Sequence, residues 1–345
     1  MKDKIGFIAV GQAGGNIGFL LNQKGFDVAF INTSEGDLAT INIDGDKKYH
    51  IKNGLGCAKD RATAKEVAKN DFNSINQFIN KSLGEKELYY LVFSSGGGTG
   101  SGISPTFAKI FSQALNKNIG IITILPSEKD TLQAHINSYE CLKEITEIED
   151  ICSVFILDNK SKNDILHINE KFVNLFIKIF DYKKYETQKG NIDEAEILKL
   201  LKTEGMINIA TCENDENTDK LIKNIQENIF APLENDGNIK YLGLSKGIKF
   251  DDIIFKKKIG KYLDKFENTN KEYTLAILSG LTLPLKRIKD MKDKISEEKD
   301  TIIKLNTSKN IKLEDIDFLN IGKSKPQENI KKEKMTADDI LKNFF

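Results

Sequence analysis

Leu88-Tyr89-Tyr90-Leu91-Val92-Phe93 runs without a break into Ser94-Ser95-Gly96-Gly97-Gly98-Thr99-Gly100-Ser101-Gly102. Six apolar residues ending in turn formers read as a buried strand, and the apolar spacing from Ile103 to Leu115 reads as the helix that leaves the loop. Five glycines in nine residues strip away the side chains that keep a backbone from a polyanion. At a helix start the bare amides then face phosphate oxygens, so the stretch reads as a phosphate cradle rather than a linker.

A second cluster, Gly11-Gln12-Ala13-Gly14-Gly15-Asn16-Ile17-Gly18, follows the apolar run Lys4 to Val10 and opens another helix. Two strand-loop-helix units aimed at one ligand are far more specific than one. The Walker pattern is excluded for both loops, because neither glycine cluster is followed by Lys and then Ser or Thr. The dinucleotide pattern is disfavoured: Ala13 takes its second glycine position, and the next strand, Asp27 to Ile31, ends in Asn32-Thr33-Ser34 instead of an acid for a ribose. A nicotinamide-dependent dehydrogenase is therefore the weaker alternative, and a nucleotide-binding scaffold without turnover is another.

Strand-type runs recur at Gly120 to Leu125 and Cys152 to Leu157, with helical spacing between. This alternation predicts an α/β fold, a doubly wound and mostly parallel sheet covered on both faces, with the loops after the strands gathered on one ligand-binding edge. Residues 1–163 read as the nucleotide-binding domain and 164–190 as a central core helix, with Ile168, Phe172, Leu175, Phe176 and Ile179 along one stripe from Asp164 to Tyr182. Residues 191–283 read as a smaller α/β unit. Its strands are expected near Met206 to Ala210, Ile239 to Leu244 and Tyr273 to Leu278, and its helices near Thr218 to Phe230 and Asp251 to Leu263. A surface helix is expected over 284–300, then a flexible charged tail over 301–345 whose last eleven residues, from Met335 to Phe345, read as a partner-binding peptide.

Fifty-one basic residues balance fifty-one acidic ones among 345, so the body generates no field for sequence-independent DNA binding. The 39% hydrophobic content suffices for substantial cores. Cys57, Cys141, Cys152 and Cys212 lack metal-ligand spacing and read as reduced core thiols, and no apolar run is long enough to span a membrane. A cytoplasmic location follows as an expectation, with neither leader nor anchor.

Gly96 to Gly102 matches, without a gap, the GGGTG[ST]G signature of the tubulin and FtsZ superfamily. Gly11 to Asn16 resembles that family's first loop, Asn32-Thr33-Ser34 its second, and Gly54-Leu55-Gly56-Cys57-Ala58 its third. The likeness extends from about Ile5 to about Leu285, and the lysine-rich tail is most similar to the TubZ branch of plasmids and phages of low-GC bacteria. The resemblance implies GTP and GDP as ligands, Mg2+ with the nucleotide, and contacts from Gly11, Gln12, Ala13, Gly14, Gly15, Asn16, Asn32, Gly96, Gly97, Gly98, Thr99, Gly100 and Ser101. Asn159 and Asn169 fall where the family reads guanine. No protein ligand for the metal is identified. The FtsZ segment Pro-Phe-x-Phe-Glu is replaced by Pro126-Ser127-Glu128-Lys129-Asp130, which leaves Asp130 as the candidate for the ribose.

Gly190-Asn191-Ile192-Asp193-Glu194-Ala195-Glu196 resembles the family's catalytic loop, giving Asn191, Asp193 and Glu196 as catalytic candidates that polarise a water for phosphoryl transfer. Asp193 and Glu196 stand at i and i+3, which would share one face of a helical turn. A central helix of nearly twenty residues is about 28 Å long at about 1.5 Å per residue, which puts these acids out of reach of their own chain's nucleotide. Hydrolysis would then need a neighbouring subunit, and a head-to-tail contact that does not close makes a filament. The resemblance implies a GTPase activated by polymerisation that segregates or moves plasmid or phage DNA through a DNA-bound adaptor. A division or phage-centring filament is the alternative within the family.

Overall fold

A computed structural model describes residues 1–159, 165–181, 191–234 and 239–307, side chains of 165, 166 and 300–307 excepted. Among the described residues ten strands form one sheet: β1 (Ile5–Val10), β2 (Asp27–Asn32), β3 (Lys48–His50), β4 (Leu88–Ser94), β5 (Ile119–Leu125), β6 (Ile151–Asp158), β7 (Gly205–Glu213), β8 (Ile239–Lys246), β9 (Tyr262–Thr269) and β10 (Tyr273–Leu281). Their spatial order is β3-β2-β1-β4-β5-β6-β7-β10-β8-β9. Every neighbouring pair is parallel except those of β10, which runs antiparallel to both β7 and β8. The expected doubly wound, mostly parallel α/β sheet is present.

Eleven α-helices among the described residues complete the chain. They are α1 (Gly11–Gln23), α2 (Glu35–Ala39), α3 (Arg61–Asn70), α4 (Phe72–Leu83), α5 (Thr99–Lys109), α6 (Leu132–Thr146), α7 (Ile165–Lys178), α8 (Glu194–Lys202), α9 (Thr218–Gln226), α10 (Asp252–Lys258) and α11 (Leu285–Thr307). Strand β1 shows why both faces are covered. Ile8 and Val10 point into one apolar layer with Phe107 and Phe111, while Phe7 and Ala9 point into the other with Phe172 and Phe176. In that second layer the α7 stripe meets the sheet as an aromatic cluster, with Phe176 within 5.7 Å of both Phe7 and Phe155, centroid to centroid.

Several boundaries differ from expectation. Helix α5 begins at Thr99, so the end of the glycine run is itself the first helical turn, and Ile110–Ala114 closes the element as a π turn. The helix expected over Asp251 to Leu263 stops at Lys258, and Tyr262–Thr269 is a strand. That strand is the outer edge of the sheet and alternates Asp264, Lys265 and Glu267 with few apolar residues, a charged edge that blunts further pairing and hides the strand's period. Helix α11 runs to Thr307, beyond the expected 300. The expected tail peptide and Gly190 lie outside the described residues.

Candidate functional site

Strands β1 and β4 are parallel neighbours, so the loops at their carboxyl ends emerge side by side. Gly11 adopts φ +73°, and a Cβ there would stand 3.3 Å from the Gly100 amide, which shows how closely the two loops approach. Gly14 cannot be replaced at all without movement: a Cβ would lie 2.1 Å from the Val92 carbonyl oxygen. Neither α1, capped by Val10, nor α5, capped by Gly98, has a side-chain hydrogen bond at its start. Two sets of first-turn amides and two positive dipole ends are thus left for an anion.

Between them is a cavity of about 290 Å³. Of the residues expected there, Gln12, Ala13, Gly96, Gly97, Gly98, Thr99, Gly100, Asp130 and Asn159 line it. A second cavity, about 360 Å³, holds Asn16 and Asn169 together with Thr40 and Glu170. Gln12 joins the two, since its amide nitrogen lies 3.4 Å from Asn16 Oδ1 and 3.3 Å from Thr40 Oγ1. Asn159 and Asn169, 6% and 1% exposed, each bury a side-chain oxygen that has no protein donor. An unsatisfied buried acceptor costs about 1–3 kcal/mol, so both positions are complementary to a ligand that brings N–H groups.

Other expected residues are structural neighbours of the cavities. Gly11, Gly14 and Gly15 are buried. Asn32 is also buried, accepting from the Ser34 amide at 3.2 Å and donating to Asp37 at 3.4 Å. Ser101 faces inward, its hydroxyl donating to the Gly97 carbonyl, so it braces the loop. The Thr99 hydroxyl is held 2.8 Å from that of Thr33, which in turn accepts from the Cys57 thiol.

Three contributors escape a sequence reading. Lys59 lines the first cavity in a left-handed backbone conformation, φ +64°, its ammonium donating to Thr131 at 3.0 Å. Asn137 on α6 donates to the carbonyls of Lys59 at 2.8 Å and Gly97 at 3.0 Å, clamping the third loop to the glycine loop. Arg61 is buried and donates to the Ser101 carbonyl and to Glu140 and Glu144, fastening α5 to α6. The one signal for Lys59 is its place directly after the Gly54 to Ala58 stretch, and Asn137 carries no local signal.

The model of the "Tubulin/FtsZ family, GTPase domain" matches residues 4–167. The tubulin-like protein TubZ of Clostridium botulinum C phage is 30% identical over 307 residues, covering 87% of this chain and 84% of that one. The chain belongs to the tubulin/FtsZ family. The crystal structure of Clostridium botulinum phage c-st TubZ superposes with a TM-score of 0.79 at 27% identity, over 87% of this chain and all of that one. A GTPγS-form protofilament of Bacillus thuringiensis serovar israelensis TubZ shares the fold, with a TM-score of 0.71 at 16% identity, covering 88% of this chain and 95% of that one. As a tubulin-like GTPase, the chain carries its two glycine loops on the carboxyl edge of the sheet.

The catalytic candidates lie elsewhere. Glu194, between Asp193 and Glu196, pairs with Lys4 at 2.5 Å, and Lys4 precedes β1. These acids therefore sit at the amino edge, separated from Gly11 by the length of β1, about 20 Å for six residues. Asp193 is the N-cap of α8 and Glu196 its third helical residue, so the i, i+3 pair stands together at the helix start. Its carboxylate accepts from the Glu196 amide at 2.8 Å, and Glu196 accepts from the Asp193 amide at 3.0 Å, a reciprocal capping box. Each carboxylate spends one oxygen on the cap and has a second one left. Asn191 is exposed beside them. No group of three His, Cys, Asp or Glu among the described residues is arranged to hold a metal.

Proposed function

We propose that GTP or GDP spans the two cavities, its phosphates on the amides at the starts of α1 and α5 and its base between Asn16, Asn159 and Asn169. The orphan oxygens of Asn159 and Asn169 support guanine, whose edge presents N1–H and an exocyclic amino group. Asp130 reaches the ribose side. Mg2+ fits here only as an ion held by phosphates and water with a hydroxyl such as Thr99, and it would neutralise charge on the departing phosphate.

Turnover takes place between subunits. The carrying observation is the Glu194–Lys4 pair, which supports a location for Asn191, Asp193 and Glu196 at the sheet edge remote from their own cradle. Stacking the amino edge of one molecule on the carboxyl edge of the next brings these acids to a phosphate, where the free carboxylate oxygens orient water. Such a contact is heterologous and propagates as a filament whose growth and hydrolysis are one event. Residues 1–163 then bind nucleotide, 164–190 space the two edges, 191–283 supply the acids and 284–300 lie on the surface. The filament works in the bacterial host cytoplasm, moving plasmid or phage DNA through a DNA-bound adaptor that holds residues 335–345. Among the described residues no helix is long and apolar enough to cross a membrane.

The test is phosphate release against protein concentration together with pelleting, for wild type, Thr99→Ala and Asp193→Ala. Wild-type turnover should rise more steeply than linearly with concentration, and both variants should lose at least about tenfold in turnover. Full turnover from a strictly monomeric preparation would overturn the reading.

A further inference from the structure

Helix α11 grips the wall of the nucleotide cavity from outside. Arg287, 3% exposed, donates through Nε to Asp158 Oδ2 at 2.9 Å and through Nη2 to Asp158 Oδ1 at 3.3 Å, and the same Nη2 donates to the Pro126 carbonyl at 2.8 Å. Asp158 ends β6 and Pro126 follows β5, so one guanidinium ties together two strand ends. Pro126 itself lines the phosphate-side cavity, and so does Asn159, the next residue after Asp158. Two turns along the same face, Lys294 donates to the Glu128 carbonyl and lies 3.0 Å from His135 Nε2, with Met291 fully buried between. The segment held at these points, residues 126–131, also carries Asp130 of the cavity.

We propose that α11 is a nucleotide-responsive element and that Arg287 is the positioning residue through which helix docking and nucleotide binding are linked. This rests on the guanine-nucleotide pocket proposed above. The physical basis is a fixed fork: a planar guanidinium satisfied by one carboxylate and one carbonyl holds both acceptors at a set separation, and a buried pair does not relax into water. A ligand that fixes Asn159 and the 126–131 segment thereby fixes the acceptors of Arg287, and undocking of the helix releases them. Linkage requires the effect to be reciprocal. Whatever pulls on the chain beyond α11 thus alters nucleotide affinity, and nucleotide occupancy alters how firmly the chain beyond α11 is held.

Hydrogen exchange on the full chain, with and without saturating GDP, tests this. In wild type GDP should slow exchange of the amides of 287–298 by at least about threefold. Arg287→Lys, which loses the fork, should weaken GDP binding by about tenfold and abolish most of that protection. Asp158→Asn combined with Arg287→Met removes both charges together, so no lone buried ion is left to unfold the protein; it should melt as one cooperative unit, bind GDP and show no nucleotide-dependent protection in α11. Binding of GDP by wild type with unchanged exchange in α11 overturns this proposal alone. Absence of GDP binding by wild type overturns the pocket and this proposal with it. Protection of α11 that persists in the double variant overturns the role of Arg287.

Discussion

Asn169 places a carboxamide oxygen in the interior of the molecule with nothing to donate to it, a cost carried by the empty protein and removed when a ligand brings an N–H. Asn169→Ala should therefore leave the melting temperature of the ligand-free protein unchanged or raised, while weakening GTP binding by about 1–3 kcal/mol in titration calorimetry. Gly14→Ala should do the opposite of a mild change: with the new Cβ 2.1 Å from the Val92 oxygen, the cradle has to shift, and a loss of about 2 kcal/mol or more in denaturant unfolding is expected. His135 gives a pH signature. Burial, then the charges of Lys294 and Arg287, push its pKa below the ordinary value of 6.5. The unfolded chain then binds a proton that the folded one refuses, so the stability from this group is complete above about 6.5 and drains as pH falls below it. Thermal melts between pH 7.5 and about pH 5.5 should show a decline in wild type that is reduced in His135→Gln.

At the scale of the element, the start of α8 rests on one residue. Asp193 caps the helix and is also the leading candidate for activating water, so Asp193→Ala mixes a cap loss of about 0.5–2 kcal/mol with any chemical effect. Asparagine caps as well as aspartate but carries no charge. Asp193→Asn should keep the wild-type melting temperature and nucleotide affinity, and lose turnover by at least about tenfold; retained turnover would leave the acid a cap and nothing more. Element boundaries also explain where sequence reading stopped. Strands β1, β4, β5 and β6 are buried on both faces and appear as continuous apolar runs, whereas edge strand β9 shows the residues of a solvated surface and reads as the end of a helix.

On the scale of the whole molecule, one sheet separates two differently equipped edges: paired glycine loops at the carboxyl edge, Asp193 and Glu196 at the amino edge. Leu55, in the loop beside the cradle, is 98% exposed, an apolar side chain suited to a contact made only on assembly. Leu55→Ser should raise the critical concentration for pelleting without altering GDP affinity. The aromatic cluster under α7 holds that helix, and so the spacing of the edges, in place; Phe176→Ala should cost about 3–5 kcal/mol in chemical unfolding.

Chain order alone determined the α/β alternation, the two glycine loops and their placement on one edge, because apolar runs, glycines and helical spacing are local and survive as pattern. The family likeness came from the same contiguous residues. Only the tertiary structure decided that Asn137 and Arg61 brace the loops, that Lys59 stands in the cavity, that Arg287 ties α11 to Asp158 and Pro126, and that Asp193 and Glu196 cap each other. Those contacts join residues up to 161 positions apart, and a buried hydrogen bond or ion pair is specified by geometry across the fold, which no neighbouring residue in the chain encodes.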